Sequence, residues 1–327
     1  MDKTKETVII TGGNSGLGYQ AAKELAHTGA YQLVIASRNV EKTNAAVEEL
    51  KTKTGHQAIV GMKLDLGSLD SVREFAANFL AADYAPLYAL VCNAGLSPRQ
   101  NRLTADGFDT TFGVNHLGHY LLSHLLSHEI ADGGRLIFVS SGTHLPEKKL
   151  ARRLGVPAPK YTTAYNLAYA DQAPEPDRID SPAQRYSTSK LCNVLATYEF
   201  GRQFKMAGKQ VNTYALDPGL MPGTELVRDA PDLLKPIFAG LIRIMGNFTD
   251  GIREPTVSGK HLAQLVTDPA FENRSGLYFD GDKAIKSSAD SYDRAKSIDL
   301  WNTSAKLCKL TSSDTILPIE IETKQAA

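Results

Sequence analysis

The stretch Val8-Ile-Ile-Thr-Gly-Gly-Asn-Ser-Gly-Leu-Gly18 decides the fold. It begins as a short apolar run with β-branched residues, which predicts a buried strand. The pattern T-G-x-x-x-G-x-G follows, and residues 19–27 then have the periodicity of a helix. Glycines in such a turn let the backbone approach a pyrophosphate, and the start of the next helix supplies N–H donors and a positive dipole end. The stretch therefore predicts a strand–turn–helix unit that binds a dinucleotide.

The same alternation of short apolar runs and helical patterns continues to residue 279. The runs are continuous rather than alternating with polar residues, which is typical of parallel strands buried on both faces. The predicted strands cover residues 8–10, 32–36, 58–64, 88–92, 135–139, 211–216 and 276–279. The sequence thus predicts an α/β protein, a single-domain Rossmann fold over residues 1–327. It would be a doubly wound, seven-stranded parallel sheet with helices on both faces.

Three segments lie outside this alternation. Residues 143–182 are an insertion before the long helical pattern of residues 183–206, and residues 283–327 are a C-terminal extension whose part after residue 310 is polar and is expected to be loose. Residues 221–251 include the apolar run 233–245, which we interpret as a substrate lid. Contact with a membrane surface is the alternative. An apolar lid favours a bulky, lipophilic substrate.

Composition excludes several classes of protein. The 36 Lys and Arg residues balance 36 Asp and Glu residues, so there is no cationic surplus to bind nucleic acid. Three cysteines without a C-x-x-C pair indicate free thiols in a reducing compartment. We find no signal-peptide pattern and no apolar run long enough for a transmembrane helix. These features predict a cytoplasmic protein.

The end of the second predicted strand indicates which cofactor is bound. Arg38 stands there between Ser37 and Asn39, and a guanidinium can pair with the 2′-phosphate of NADP, whereas a carboxylate would favour NAD. We therefore predict NADP(H), the alternative being a solvated arginine. Asp65 follows the third strand and is expected near the adenine, and the small residues after the fourth strand allow close approach to the nucleotide. Around these turns the predicted cofactor-binding residues are Gly12, Asn14, Ser15, Gly16, Leu17, Gly18, Ser37, Arg38, Asn39, Asp65, Leu66, Asn93, Ala94 and Gly95.

A second group of residues predicts acid–base chemistry. Tyr186 and Lys190 are four positions apart in a helical pattern, so their side chains share a face. A neighbouring ammonium stabilises a phenolate, which makes a tyrosine usable as an acid or base near neutral pH. Ser140 and Ser141 close the fifth strand, where a hydroxyl could hold a carbonyl, and Asn115 lies in the helical pattern after the fourth strand. Alone, the Tyr–Lys pair is also compatible with an ordinary surface contact.

Four histidines, His116, His119, His124 and His128, recur in one helical pattern. Their spacing could suggest metal ligands, but no cysteine or carboxylate motif accompanies them. We therefore predict no metal.

Taken in order, these motifs resemble those of the short-chain dehydrogenases/reductases over about residues 6–282. The resemblance rests on the glycine turn, Asn93-Ala-Gly95, Asn115, Ser141, Tyr186-x-x-x-Lys190 and Asp217-Pro-Gly219. It implies that Tyr186 exchanges a proton with the substrate and that Lys190 holds the nicotinamide ribose. It also implies that Ser141 orients the carbonyl and that Asn115 anchors a water relay. The residues that would flank the nicotinamide are Pro218, Gly219, Leu220 and Thr224.

A narrower resemblance concerns Asn115-His-Leu-Gly-His119, Ser189-Lys-Leu-Cys-Asn193 and the long interval between Ser141 and Tyr186. These features are similar to the branch that holds light-dependent protochlorophyllide reductases and retinol dehydrogenase-like enzymes. Protochlorophyllide reductases carry Cys after the Pro-Gly pair, where this chain has Leu220.

The sequence leaves three hypotheses for function. The first is NADP(H)-dependent interconversion of a carbonyl and an alcohol, and the second is reduction of a tetrapyrrole double bond in light. The third is a sensor that binds NADP(H) without turnover. Family members often dimerise through their long helices, whereas large insertions oppose such pairing. The chain is therefore expected to be a monomer or a homodimer.

Overall fold

A computed structural model describes residues 6–98, 100–221 and 251–322 of the chain. Its strands are β1 (Thr7–Thr11), β2 (Gln32–Ser37), β3 (Ile59–Lys63), β4 (Leu87–Cys92), β5 (Ile130–Val139), β6 (Asn212–Asp217), β7 (Leu277–Asp280) and β8 (Lys283–Ile285). Its helices are α1 (Gly16–Thr28), α2 (Val40–Thr54), α3 (Leu69–Ala81), α4 (Thr110–Phe112), α5 (Gly118–Leu125), α6 (Lys149–Arg153), α7 (Ala164–Ala168), α8 (Pro182–Met206), α9 (Pro255–Thr267) and α10 (Arg294–Leu307). A π-helical turn (Gly113–Leu117) joins α4 to α5.

Over the described residues the strands form one sheet in the order β3-β2-β1-β4-β5-β6-β7-β8. The first seven strands in this order are parallel, which confirms the predicted doubly wound Rossmann fold. The short β8, which pairs antiparallel with β7, was not predicted. Its three residues are all exposed, so it has no apolar run to signal it. Because the strand order reverses between β1 and β4, a crevice opens at their carboxyl ends.

Two apolar layers cover the sheet. On one face, α1, α2 and α9 pack over residues such as Val8, Ile10 and Ile35. On the other face, α3, α5 and α8 pack over residues such as Ile9 and Leu90. Adjacent residues Ile9 and Ile10 are fully buried on opposite faces, which explains why the strands read as continuous apolar runs.

The C-terminal extension forms a further layer outside α5 and α8. Trp301 of α10 is buried against Tyr120 of α5 and Phe200 of α8. Beyond α10, Leu317 and Ile321 are also buried. The expectation that the chain is loose after residue 310 was therefore wrong up to residue 322, because a few spaced apolar residues anchor a mostly polar segment.

The insertion before α8 is likewise packed, since Ala164, Leu167 and Ala168 of α7 are buried in the same core as α8. Residues 222–250, which hold most of the predicted lid, lie outside the described residues. Within the described ranges, none of the helices combines the length and apolarity that a membrane span requires.

Candidate active site

Four strand ends meet at the crevice. The glycine turn follows β1, Asn93-Ala-Gly95 follows β4, Ser140 and Ser141 follow β5, and Asp217-Pro-Gly219 follows β6. Because β1, β4, β5 and β6 are neighbours and parallel, all four turns lie on the same edge of the sheet. The topology thus brings together the residues that the sequence singled out for chemistry.

The glycine turn is shaped by backbone requirements. Gly12 and Gly16 have φ angles of 65° and 54°, in the left-handed region that glycine adopts without strain. Helix α1 begins at Gly16, and the side chain of its N-cap residue, Ser15, makes no capping hydrogen bond. The first N–H groups of α1 thus lack the usual side-chain partner, which leaves them suited to an anion. Leu17 is buried beneath the turn, whereas Asn14 and Ser15 lie at its surface.

Hydrogen bonds join the glycine turn to the end of β4. The Thr11 hydroxyl accepts hydrogen bonds from the Asn93 and Ala94 amides at 2.9 and 3.0 Å. The Asn93 side chain donates to the Thr11 carbonyl oxygen at 2.7 Å. The side chains of Asn93 and Thr11 therefore hold the two turns together. A Cβ on Gly12 would lie 3.0 Å from the Ala94 Cβ, so the glycine lets the two turns approach closely.

We expect Gly18→Ala to destabilise the protein. A Cβ at this position would lie 2.5 Å from the side-chain nitrogen (Nδ2) of Asn93 and 2.7 Å from the Gly12 carbonyl oxygen. Both atoms are held in place within the turn. Overpacking of this kind costs about 1–3 kcal/mol, so thermal unfolding should show a fall in Tm of several degrees. Gly13→Ala is the matched control, since its Cβ would meet the Ile35 and Ile10 side chains at 3.2 and 3.3 Å and would come no nearer than that to another atom. An equal Tm for the Gly18 variant and the parent would contradict this account of the turn.

The ends of β2 and β3 lie beside the glycine turn. Arg38 is exposed, so its guanidinium is accessible from solvent. Asn39 is the N-cap of α2, and its side chain accepts from the Lys42 amide at 2.8 Å. Ser37 is buried and bonds Thr43. The structure thus leaves Arg38 as the residue of the three that can reach outward.

Asp65 forms a local turn after β3. Its carboxylate accepts from the Gly67 amide at 2.9 Å, and Ser68 caps α3 by accepting from the Ser71 amide. Leu66 is buried, and its carbonyl oxygen would lie 2.5 Å from a Cβ at Gly118. Gly118 therefore lets the helix after the π-turn pack closely on this loop.

Tyr186 and Lys190 lie in the first turns of α8. Ser181 caps this helix by accepting from the Gln184 amide, and Pro182 occupies its first position, which is a strong start signal. The Lys190 ammonium lies 5.5 Å from the centroid of the Tyr186 ring. Lys190 is 3% exposed, and its Nζ donates to the carbonyl oxygen of Val139, the last residue of β5, at 3.0 Å. A buried ammonium is thus fixed beside a half-buried phenol.

Asn115 lies in the π-helical turn. Such turns are rare in proteins, and those that occur are frequently found at functional sites. Its side chain exchanges two hydrogen bonds with the backbone of Leu96, at 2.8 and 3.0 Å. Its amide also donates to the Ser189 hydroxyl at 3.0 Å. A Cβ on Gly95 would lie 3.3 Å from both the Asn115 side-chain oxygen and the Lys190 ammonium. Asn115 and Lys190 therefore meet at the turn after β4.

Ser141 caps a short 3₁₀ turn (Gly142–His144) and is partly exposed, whereas Ser140 is buried and donates to the Lys190 carbonyl oxygen. The two adjacent hydroxyls therefore differ in access. His144 is buried, and its Nδ1 lies 2.6 Å from the Ser141 carbonyl oxygen. Burial lowers the pKa of His144, which favours the neutral ring with the proton on Nδ1.

The end of β6 carries an ion-pair network that the sequence did not reveal. Lys148 pairs with Asp217 and, at 3.0 Å, with Asp280, and Arg253 pairs with Asp280 at 2.7 Å. Burial opposes ionisation of Asp280, but the Lys148 and Arg253 charges outweigh it and lower its pKa. Asp217 also accepts from the Gly219 amide at 2.9 Å.

This network fixes the turn after β6, where Gly219 has a φ of 82° and Leu220 bridges to Ile252. No short-range spacing links residues 148, 217, 253 and 280, so only the fold could bring them together. Thr224, the last predicted cofactor residue, lies outside the described residues.

The three inner histidines of the α5 region each have a hydroxyl partner. The rings of His116, His119 and His124 lie 3.0, 2.8 and 3.1 Å from Ser304, Thr11 and Thr315, respectively. Burial lowers their pKa values to about 3, 4 and 3, so they are neutral at physiological pH. Among the described residues no group of three or more His, Cys, Asp or Glu side chains could hold a metal ion.

Comparison with known proteins agrees with this arrangement. Residues 6–149 match the family model of the short chain dehydrogenases. Protochlorophyllide reductase A, chloroplastic, of Oryza sativa subsp. japonica is 36% identical over 323 residues, which are 93% of this chain and 80% of that protein.

Two solved structures are similar in fold. The crystal structure of an uncharacterized protein from Mycobacterium Paratuberculosis has a TM-score of 0.66 and 27% identity, with 94% of each chain covered. A short chain dehydrogenase from Burkholderia cenocepacia J2315 in complex with NADP has a TM-score of 0.60 and 19% identity, over 86% of this chain and 98% of that one. With the fold, the family model and a relative that matches almost the whole chain in agreement, this chain belongs to the short-chain dehydrogenase/reductase family.

Proposed function

We propose that the protein is an NADP(H)-dependent oxidoreductase that interconverts a carbonyl and an alcohol on a bulky, lipophilic substrate. The observation that carries this proposal is the buried Lys190 ammonium, fixed by the Val139 carbonyl 5.5 Å from the Tyr186 ring. A sensor that only binds the nucleotide has no need of a proton donor beside a buried cation. A reductase needs one, since a carbonyl that accepts hydride must also accept a proton.

The chain's residues fit a bound dinucleotide. Gly12, Gly18 and Gly95 lie where an added Cβ would meet the neighbouring turns. Their lack of a side chain therefore keeps the turns that form the floor of the crevice close together. Helix α1 begins directly after the glycine turn, and its first N–H groups, which have no side-chain cap, would hold a pyrophosphate there. When bound, the nicotinamide supplies the hydride.

Each catalytic residue then has one task. Tyr186 delivers the proton to the substrate oxygen, and Lys190 stabilises the phenolate that remains. The partly exposed hydroxyl of Ser141 holds the carbonyl oxygen in line with Tyr186. Asn115, which is fully buried and bonds Leu96 and Ser189, keeps the β4 turn and α8 in register and would anchor a water between Lys190 and solvent.

Arg38 is expected to select NADPH over NADH. It is exposed at the end of β2, where the 2′-phosphate would lie, and the Burkholderia relative of the same fold was solved with NADP. A hydrogen bond to a charged group contributes about 1.5–3 kcal/mol. Arg38→Ala should therefore raise the Kd of NADPH by roughly 10- to 100-fold while leaving that of NADH almost unchanged.

Titration of nucleotide fluorescence measures both constants. Lys53→Ala, which removes an exposed cation at the far end of α2, is the matched control. Equal losses for NADPH and NADH in the Arg38 variant would show that Arg38 does not contact the 2′-phosphate.

A second candidate function is the reduction of protochlorophyllide. It is supported by the rice relative of that name, which matches 93% of the chain. Leu220, which stands where that branch carries Cys, favours the first candidate.

The decisive assay measures NADPH oxidation by the purified protein with ketones, aldehydes and retinal-like compounds in the dark, and with protochlorophyllide in light and in darkness. Dark turnover of a carbonyl compound supports the first candidate, and light-dependent turnover of protochlorophyllide supports the second. Tight NADPH binding without turnover of any compound would refute both and favour a sensor. Preference for small polar sugars would contradict the lipophilic substrate.

A further inference from the structure

Arg185, the residue directly before Tyr186, is buried at the centre of an ion-pair cluster. Its guanidinium donates to the Asp109 carboxylate at 2.8 Å, and both side chains are 4% exposed. Its other nitrogens donate to the Asp171 carboxylate at 2.6 Å and to the Ile179 carbonyl oxygen at 2.7 Å. Arg185 thus connects α8 with two segments: the start of α4 and the insertion before α8.

Asp109 is equally committed. Its other carboxylate oxygen caps α4 by accepting from the Phe112 amide at 3.0 Å, and its own amide donates to the Ala168 carbonyl oxygen at the end of α7. The segment that Asp109 begins leads directly into the π-helical turn that holds Asn115. The Arg185–Asp109 pair therefore joins the helix that carries Tyr186 to the helix that carries Asn115.

The position of Arg185 on α8 gives this pair a consequence for the site. Residues 185 and 189 form one i,i+4 row, and residues 186 and 190 form the next, about 100° further round the helix. In the first row, Arg185 bonds Asp109 and the Ser189 hydroxyl accepts from Asn115. The second row is Tyr186 and Lys190. Both members of the first row are therefore tied to the α4–α5 segment, and this fixes the rotation of α8 about its own axis.

We propose that Arg185 is a positioning residue, which through Asp109 fixes the rotation of α8 and hence the direction of the Tyr186 hydroxyl. This inference rests on the proposed function, because it assigns Arg185 a role in the same proton transfer. The Asp171 and Ile179 contacts extend it, since they couple the insertion to the same guanidinium. A lysine could not serve all three partners, because the planar fork of arginine presents several donors at once.

The test compares Arg185→Met and Asp109→Asn with the parent. Asparagine keeps the oxygen that caps α4, so Asp109→Asn removes the charge and spares the helix start. Arg178→Met is the matched control, because Arg178 belongs to the insertion and its ion pairs with Glu175 and Asp180 lie at the exposed surface. For each variant, kcat is measured per NADPH-binding site, together with the NADPH Kd, the Tm and the solvent deuterium isotope effect on kcat.

We expect Arg185→Met to lower kcat by roughly 10- to 100-fold, as for a misplacement of about 1 Å, with the NADPH Kd unchanged. The solvent isotope effect should rise because proton delivery becomes the slow step, and Arg185→Lys should restore part of kcat. Asp109→Asn should lower kcat in the same direction. A variant that loses Tm but keeps the parent's kcat per binding site and isotope effect would overturn the proposal, since the pair would then serve stability alone. If Arg185→Met does not fold, Asp109→Asn decides by the same criterion.

Hydrogen exchange separates failure of this proposal from failure of the proposed function. In Arg185→Met, the amides of residues 110–117 and 185–191 should exchange faster than in the parent, whereas those of α1 should not. If the parent turns over no carbonyl compound, the proposed function fails, and exchange alone decides whether the pair fixes α8. Unchanged exchange in both segments would refute it.

Discussion

Tyr186→Phe should abolish nearly all carbonyl reduction while leaving NADPH binding intact. The substitution removes only the hydroxyl, so the ring still packs beside the Lys190 ammonium, which remains bonded to the Val139 carbonyl. General acid catalysis contributes about 10²- to 10⁴-fold in rate, and we expect kcat to fall by that factor. The KM for the carbonyl should change much less, because the loss falls on the transition state.

Steady-state NADPH oxidation and nucleotide fluorescence measure these quantities on one preparation. Tyr165→Phe is the matched control, since Tyr165 is 59% exposed on α7 and has no assigned role in binding or catalysis. Turnover at the parent rate in Tyr186→Phe would refute the assignment of Tyr186 as the acid.

Acid should unfold this protein steeply below about pH 6.5. His116, His119 and His124 are fully buried, and burial holds their pKa values at about 3, 4 and 3. The unfolded chain takes up protons on these rings near pH 6.5, whereas the folded chain does not. Their contribution to stability is therefore complete above pH 6.5 and is lost as the pH falls toward 4. Each ring can remove up to ~1.4 kcal/mol per pH unit, or ~4 kcal/mol per pH unit for the three together.

Urea unfolding between pH 7.5 and pH 5 measures this slope. His124→Phe should reduce it by about one ring's share, ~1.4 kcal/mol per pH unit. Phenylalanine suits the site because Tyr120, Phe200 and Trp301 surround the ring, and Thr315 keeps the Ser127 hydroxyl as a partner. His128→Asn, at an exposed position, is the control and should leave the slope as it is. A parent protein equally stable at pH 7.5 and pH 5 would contradict the buried, neutral state of these histidines.

The sheet was predictable from sequence because its strands follow one simple rule. Residues such as Val8, Ile9 and Ile10 are buried on both faces, so each strand is a short uninterrupted apolar run between turn residues. The glycine turn and the Tyr186–Lys190 pair are local patterns as well. Every prediction that held for the sheet depended on residues close together in the chain.

The features that sequence did not reveal depend on residues far apart. Lys148, Asp217 and Asp280 form one network, and Arg185 pairs with Asp109, across intervals that no motif defines. The tail shows the same limitation, since Leu317 and Ile321 are isolated apolar residues whose burial depends on α10. In the sequence, the charged side chains of these networks cannot be distinguished from solvated surface residues, because only the fold shows their partners.

The packing of α10 on α5 and α8 has a consequence for assembly. A second copy of the chain that bound through α5 and α8 would have to displace Trp301 and the residues that follow it. This C-terminal segment is covalently connected to α8 through the chain, so it remains close to the face that it covers. A tethered segment competes at an effective concentration in the millimolar range, far above the concentration of most enzymes. We therefore expect this face to be occupied by the chain's own C-terminal segment, so that self-association through α5 and α8 is suppressed by intramolecular competition.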